Sequence, residues 1–124
     1  MAEILLVGSD WAARALLRAQ LIEEGFDVEA LGNVHDALAR LNSTQQMPAL
    51  LLADLSASDD PAADIAQLST WSGRVSTWIL ASRSFSPAPA AEQFERIIFR
   101  PVDLGKLVEQ IKQRLTPGGN STQK

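Results

Sequence analysis

Residues 50–54 read Leu-Leu-Leu-Ala-Asp, and this apolar run closed by a carboxylate decides the fold. A strand that is apolar at successive positions is buried on both faces, as a central strand of a parallel sheet is. Asp60 followed by Pro61 then predicts a helix start, with an N-cap and proline at the first helical position. We therefore predict a strand–helix unit with Asp54 at the carboxyl end of a central strand.

The same alternation of apolar runs and amphipathic stretches continues in both directions. We predict further strands over 4–7, 27–31, 75–81 and 97–99, and helices over 11–24, 35–41, 61–73 and 104–115. Asn33, with Asp36 three residues on, predicts the cap of the second helix. Pro87 and Pro89 limit any helix before the last strand to about residues 90–95. Strands that alternate with helices predict a parallel sheet covered on both faces.

The composition is typical of one globular domain of 124 residues, with 46% hydrophobic and 21% charged residues. The absence of cysteine excludes disulfides, thiolate catalysis and cysteine-ligated metals. A net charge of −4 without a basic run argues against nucleic-acid binding, and no apolar run approaches the length of a membrane span. The start lacks the pattern of a signal peptide, so we expect a cytoplasmic protein. We divide it into a domain over 1–116 and a polar tail or linker over 117–124.

The order of these elements, the sequence LLADLS at 51–56 and the sequence FRPVDLGKLVEQI at 99–111 resemble the receiver domain of bacterial response regulators. The resemblance runs from Glu3 to about Leu115. It implies a flavodoxin-like, doubly wound α/β fold with a five-stranded parallel sheet in the order 2-1-3-4-5, here with a shortened fourth helix. It also implies a signalling module that is not an enzyme. Such a module accepts a phosphoryl group from a histidine kinase on Asp54, with Mg²⁺ bound, and then changes its affinity for partners.

The positions at which this family holds Mg²⁺ depart from its pattern. The acidic pair after the first strand falls on Gly8 and Ser9, with Asp10 one residue further on. Since Mg²⁺ needs oxygen ligands in near-octahedral geometry, we expect weak binding through Asp10 and Asp54, or none. Asp10 has a second interpretation as the N-cap of the first helix.

The remaining positions of the family's site also differ. The threonine or serine after the fourth strand falls on Ala81, and Ser82 substitutes only if its side chain reaches the same face. The family's lysine falls on Arg100, followed by Pro101, and its switching aromatic residue falls on Ile97. Arg100 can contact a phosphoryl group or neutralise a carboxylate such as Asp54.

These departures predict a degenerate receiver, or pseudo-receiver, that acts through contacts with a signalling partner and has impaired or no phosphorylation. The partner is a histidine kinase or a downstream effector, with homodimerisation as a further option. An atypical receiver that is phosphorylated on Asp54 remains the alternative, and an enzyme on a flavodoxin-like scaffold is a remote third. No cofactor is predicted, apart from the weak Mg²⁺ of the alternative.

Overall fold

The computed structural model describes residues 3–86 and 90–115, which form a parallel sheet with helices on both faces. The strands are β1 Ile4–Gly8, β2 Val28–Leu31, β3 Leu50–Asp54, β4 Thr77–Ala81 and β5 Arg96–Phe99. The helices are α1 Trp11–Glu23, α2 Val34–Ser43, α3 Pro61–Ser69 and α4 Leu104–Leu115. The sheet order is β2-β1-β3-β4-β5, so the predicted fold class is confirmed.

The region before β5 differs from its prediction. A single 3₁₀ turn at Ala90–Gln93 stands where a short α-helix over 90–95 was expected. The turn ends early because the backbone N–H of Glu95 already donates to the carbonyl of Thr77, 3.0 Å away, and so joins the sheet. Pro87 and Pro89, on which the prediction was based, lie outside the described residues, as does the tail over 117–124.

Two other elements, the third helix and the fourth strand, are shorter than predicted. The third helix ends at Ser69 rather than near Gly73, and β4 begins at Thr77 rather than Val75. The segment between them is a turn, in which the backbone N–H groups of Arg74 and Val75 both donate to the carbonyl of Trp71. Val75 is buried although it precedes the strand, which explains why its apolar character was misleading.

Alternation along the strands divides the core into two clusters, one on each face of the sheet. One cluster joins side chains such as Leu51 and Ile79 to α2 and α3, and it contains Trp71. The other joins Leu52 and Trp78 to α1 and α4. Their places in the sequence favour Trp71 and Trp78 as core residues, and both are buried.

The helical spacing of Ala13, Leu16, Leu17 and Leu21 predicts that these residues form the inner face of the first helix. Leu17 and Leu21 are its buried residues, whereas Leu16, which was expected in the same stripe, is 52% exposed. None of the helices within residues 3–86 and 90–115 combines the length and the hydrophobicity that a membrane span needs.

Glu95 joins β4, β5 and α4 at the end of the sheet opposite Asp54. Its carboxylate accepts hydrogen bonds from Arg114 Nε at 2.6 Å and Nη2 at 3.0 Å, from Trp78 Nε1 at 3.0 Å and from the hydroxyl of Ser76. The Arg114 hydrogen bond is the largest cause that lowers the pKa of Glu95 from its ordinary 4.5 to about 2, against an opposing effect of burial. The ionised form therefore stabilises the fold.

We expect Glu95→Gln to lower the free energy of unfolding at pH 7 by about 1 kcal/mol, because solvent screens a pair whose carboxylate side chain is 33% exposed. A lowered pKa contributes stability above the unfolded-state value, and that stability is lost as the pH falls. The difference from the parent chain should thus close between pH 4.5 and about 2. Urea unfolding across this range measures it. Glu92→Gln, at an exposed position of the 3₁₀ turn, is the control, and an equal loss there would contradict the assignment to the Glu95 network.

Candidate functional site

Asp54 is the last residue of β3, and it lies opposite Gly8 of β1 and Leu80 of β4 in the sheet register. Its side chain is only 10% exposed. Oδ1 accepts hydrogen bonds from the backbone N–H of Ser56 at 3.1 Å and from the Ser56 hydroxyl at 2.6 Å. Oδ2 accepts one from Arg100 Nη2 at 2.7 Å. Both oxygens of this carboxylate are therefore engaged by groups of the chain itself.

Arg100 reaches Asp54 from the far side of β4. It follows β5 directly, its backbone N–H donates to the carbonyl of Ala81 at 2.9 Å, and its side chain is 30% exposed. Its Nε is buried and has no hydrogen-bond partner among the described residues. Ala81 is 1% exposed and its side chain has no polar group, so the guanidinium passes from the end of β5 to β3 over an apolar side chain. Pro101 follows Arg100 across a cis peptide bond.

The residues after β1 do not supply carboxylates to the site. A Cβ placed on Gly8 would lie 3.5 Å from the Cβ of Asp54, so this position faces Asp54 but carries no side-chain oxygen. The hydroxyl of Ser9 donates to the carbonyl of Ala57 at 2.9 Å. Asp10 Oδ1 accepts from the backbone N–H groups of Ala12 at 3.1 Å and Ala13 at 3.2 Å. The nearest acid is thus used as the N-cap of α1.

Ser82 and Ile97 also lack a contact with Asp54. The Ser82 hydroxyl lies 2.9 Å from the Ser84 hydroxyl and accepts from the Ser84 backbone N–H. Ile97 is half-buried and packs on the cluster of the α2 and α3 face. Of the residues to which the resemblance assigns a position in the site, only Arg100 forms a hydrogen bond with Asp54 among the described residues.

Two contacts of the site were not predicted. Arg14 Nη1 donates to the carbonyl of Gly8, and it lies 3.5 Å from where a Cβ on Gly32 would be. Ser56 binds Asp54 as described above. A serine two residues after an aspartate is a recognisable signal for a local side-chain turn. For Arg14 the sequence had no equivalent signal, since nothing in its helical position says that it bends over the end of β1.

A cavity of about 250 Å³ opens beside Asp54. Asp59, Asp60 and Asp64 contribute to its lining. Asp60 Oδ1 caps α3 by accepting from the Ala63 backbone N–H at 3.1 Å, and Asp64 Oδ2 accepts from the Ser58 hydroxyl at 2.6 Å. No group of three acidic, histidine or cysteine side chains that could hold a metal ion occurs in the described parts of the chain. The residues present therefore do not fit the Mg²⁺ that the resemblance implies.

The chain has no match among protein-family profiles and none among curated proteins. Its structure is similar to solved receiver domains. A receiver domain protein of Methanospirillum hungatei shares 19% identity over 95% of this chain and 96% of that one, with a TM-score of 0.72. The response regulator TrrA of Thermotoga maritima, solved in complex with Mg²⁺ and BeF, shares 19% identity over 93% of this chain and 100% of that one, with a TM-score of 0.75. A receiver protein of Pseudomonas putida shares 21% identity over 89% and 94%, with a TM-score of 0.70. At these identities the similarity establishes the receiver-domain fold.

Proposed function

We propose that this chain is a receiver-like signalling module of the pseudo-receiver type, which binds a protein partner without a cycle of Asp54 phosphorylation. The partner would be a histidine kinase or a downstream effector in the cytoplasm. The observation that carries the proposal is the state of the Asp54 carboxylate, because Ser56 holds one oxygen and Arg100 holds the other.

The charges around Asp54 support this proposal. Phosphoryl transfer is catalysed mainly by positioning and by neutralising the charge of the transferred group. A phosphoryl group on Asp54 Oδ1 would displace the Ser56 hydroxyl and bring further negative charge to a site where Arg100 is already paired with Oδ2. Gly8 and Ser9 provide no carboxylate that could hold a compensating divalent cation. Among the described residues, the groups that would make the transfer favourable are thus missing around Asp54.

We expect no phosphoryl adduct by intact mass after incubation with acetyl phosphate and Mg²⁺. We also expect no change in tryptophan fluorescence with Mg²⁺ up to about 20 mM, since hard cations need several oxygen ligands. Asp54→Asn is the matched control and should behave as the parent chain does in both measurements. An adduct that forms on the parent chain and disappears in Asp54→Asn would overturn the proposal.

A phosphoryl adduct that depends on Asp54 would favour the alternative, an atypical receiver that is phosphorylated on Asp54. One observation speaks for this alternative, namely that Asp54 lines the open cavity at the carboxyl end of β3 and is not sealed in the core. Release of Arg100 would then expose Oδ2 toward the cavity. Labelling faster in Arg100→Ala than in the parent chain, and absent in Asp54→Asn, would identify Arg100 as the group that restrains the reaction.

A further inference from the structure

The outer face of α1 is largely apolar and exposed, and on one side Leu16, Ala19 and Glu23 border a groove beside α4. Three of the four large apolar side chains that are exposed in the described residues belong to this helix. Trp11 is 71% exposed, Leu16 52% and Ile22 43%. Exposed apolar patches of this kind on a small domain mark interaction surfaces.

The spacing on this face is that of a coiled-coil seam. Ala12, Ala15, Ala19 and Ile22 are separated by three, four and three residues, which are the a, d, a and d positions of two heptads. All four positions are exposed. Leu17 and Leu21 point to the opposite side, into the domain, so the seam faces away from the sheet. Small side chains at three of the four positions allow a second helix to approach closely.

The residues that flank the seam decide which helix fits it. Trp11 and Arg18 occupy g positions, and Leu16 and Glu23 occupy the e positions five residues further on. In a parallel pair of helices each g residue meets the e residue of the partner that is five positions further along. Two copies of α1 would therefore place Trp11 against Leu16 and Arg18 against Glu23, twice each by symmetry.

We propose that α1 forms a parallel, two-fold symmetric helix pair with α1 of a second copy of this chain. The charge pattern selects this occupant and this orientation. Arg18 and Glu23 make no ion pair in residues 3–86 and 90–115, and each is the complement of the other in the second copy. An antiparallel pair would bring the g positions together and the e positions together, which leaves both charges without an opposite partner. This proposal does not depend on whether Asp54 is phosphorylated.

The size of the seam sets the strength of the pair. A helix of 13 residues is about 20 Å long and presents a contact strip about 10 Å wide. The contact area of such a strip, about 200 Å² on each helix, is well below the roughly 800 Å² per partner of a stable complex. The dimer should therefore be weak, with a dissociation constant on the order of 100 µM. A monomer–dimer equilibrium should then be visible by sedimentation between about 10 µM and about 1 mM.

The charge pair can be tested by reversal. Arg18→Glu or Glu23→Arg alone should weaken dimerisation about tenfold, because each puts like charges in both symmetric pairs. The double variant Arg18→Glu with Glu23→Arg should return the dissociation constant to within about threefold of the parent value. Circular dichroism shows that each variant is folded. If the parent chain is a monomer throughout the concentration range, the proposal is overturned and the exposed face of α1 would bind a different protein. The proposal is also overturned if the double variant dimerises as weakly as the two single variants.

The orientation can be tested by cross-linking, because the chain contains no cysteine. In the parallel pair, position 15 of one copy lies beside position 15 of the other, so Ala15→Cys should form a disulfide-linked dimer under mild oxidation. Ala66→Cys, at an exposed position of α3, is the matched control and should remain monomeric. A mixture of Ala12→Cys and Ile22→Cys chains should not cross-link to each other. A cross-link in that mixture without one at position 15 would show an antiparallel pair and overturn the proposal.

Discussion

A chain that carries Gly8→Asp, Ser9→Asp, Ala81→Thr and Arg100→Lys is expected to bind Mg²⁺ with a dissociation constant of about 1 mM and to accept a phosphoryl group on Asp54. The parent chain should do neither. The four changes introduce the side chains that the resemblance to response-regulator receivers implies at these positions. The expected gain is large because Gly8 and Ala81 bring no polar side chain to the site, the Ser9 hydroxyl is bonded to Ala57, and Arg100 is paired with Asp54 itself.

The geometry allows these changes. A Cβ at position 8 would make an ordinary van der Waals contact of 3.5 Å with the Cβ of Asp54, so a carboxylate there has room beside the existing one. Replacing Arg100 removes the guanidinium from Asp54 Oδ2, and a lysine is a compact point charge in place of a planar fork. At 10 mM Mg²⁺ the metal should then stabilise the variant by about 1.4 kcal/mol, which appears as a rise of several degrees in Tm.

Arg14 provides a second test of the same prediction. Its guanidinium is bonded to the Gly8 carbonyl, so it lies where a new carboxylate at position 8 would attract it. Adding Arg14→Gln to the four changes should strengthen Mg²⁺ binding by a further factor of about ten, since one competing charge is removed. Asp54→Asn in the same background should abolish the phosphoryl adduct. No rise of Tm with Mg²⁺ in either background would show that the obstacle is not in these side chains.

Trp78→Ala should lower the free energy of unfolding by about 3 to 5 kcal/mol. Trp78, the second residue of β4, is 1% exposed and packs in the cluster between the sheet and the helices α1 and α4. Its removal leaves a cavity, takes the Nε1 hydrogen bond from Glu95, and removes the ring that stacks under the Arg96 guanidinium, 4.8 Å from the ring centroid. Urea unfolding followed by circular dichroism measures the loss.

Trp11→Ala is the matched control for this prediction. Trp11 is 71% exposed at the start of α1, so its truncation should change the free energy of unfolding by less than about 0.5 kcal/mol. Both variants should be measured at low micromolar concentration, where the proposed α1 pairing is dissociated. Similar losses in the two variants would contradict the burial that the structure assigns to them.

The fold was predictable because its signals are local and repeated. The apolar run that ends at Asp54 marks a buried strand, and Asp60 with Pro61 marks the next helix through an N-cap that the structure confirms. The failures fall where tertiary contacts override the local pattern. Val75 is apolar and buried but belongs to a turn, and the residues before β5 form a 3₁₀ turn because Glu95 is drawn into the sheet.

The site was predictable in position and less so in its contacts. The residues that follow the strands could be counted from the sequence, which is why Gly8, Ala81 and Arg100 were singled out. Which hydrogen bonds they make depends on the directions of long side chains across three strands. The Arg100 bond to Asp54 was one of two options considered, and the bond of Arg14 to Gly8 could not be foreseen from helical position alone.

The bond between Arg100 and Asp54 has a consequence for the way such a module could carry information. A conventional switch is read by the fraction of molecules in one of two states. A carboxylate whose two oxygens are already held within the chain has a single state under the proposed function. The signal that the module carries would then be its concentration, which is set by synthesis and degradation. A partner would respond to the number of copies that are present.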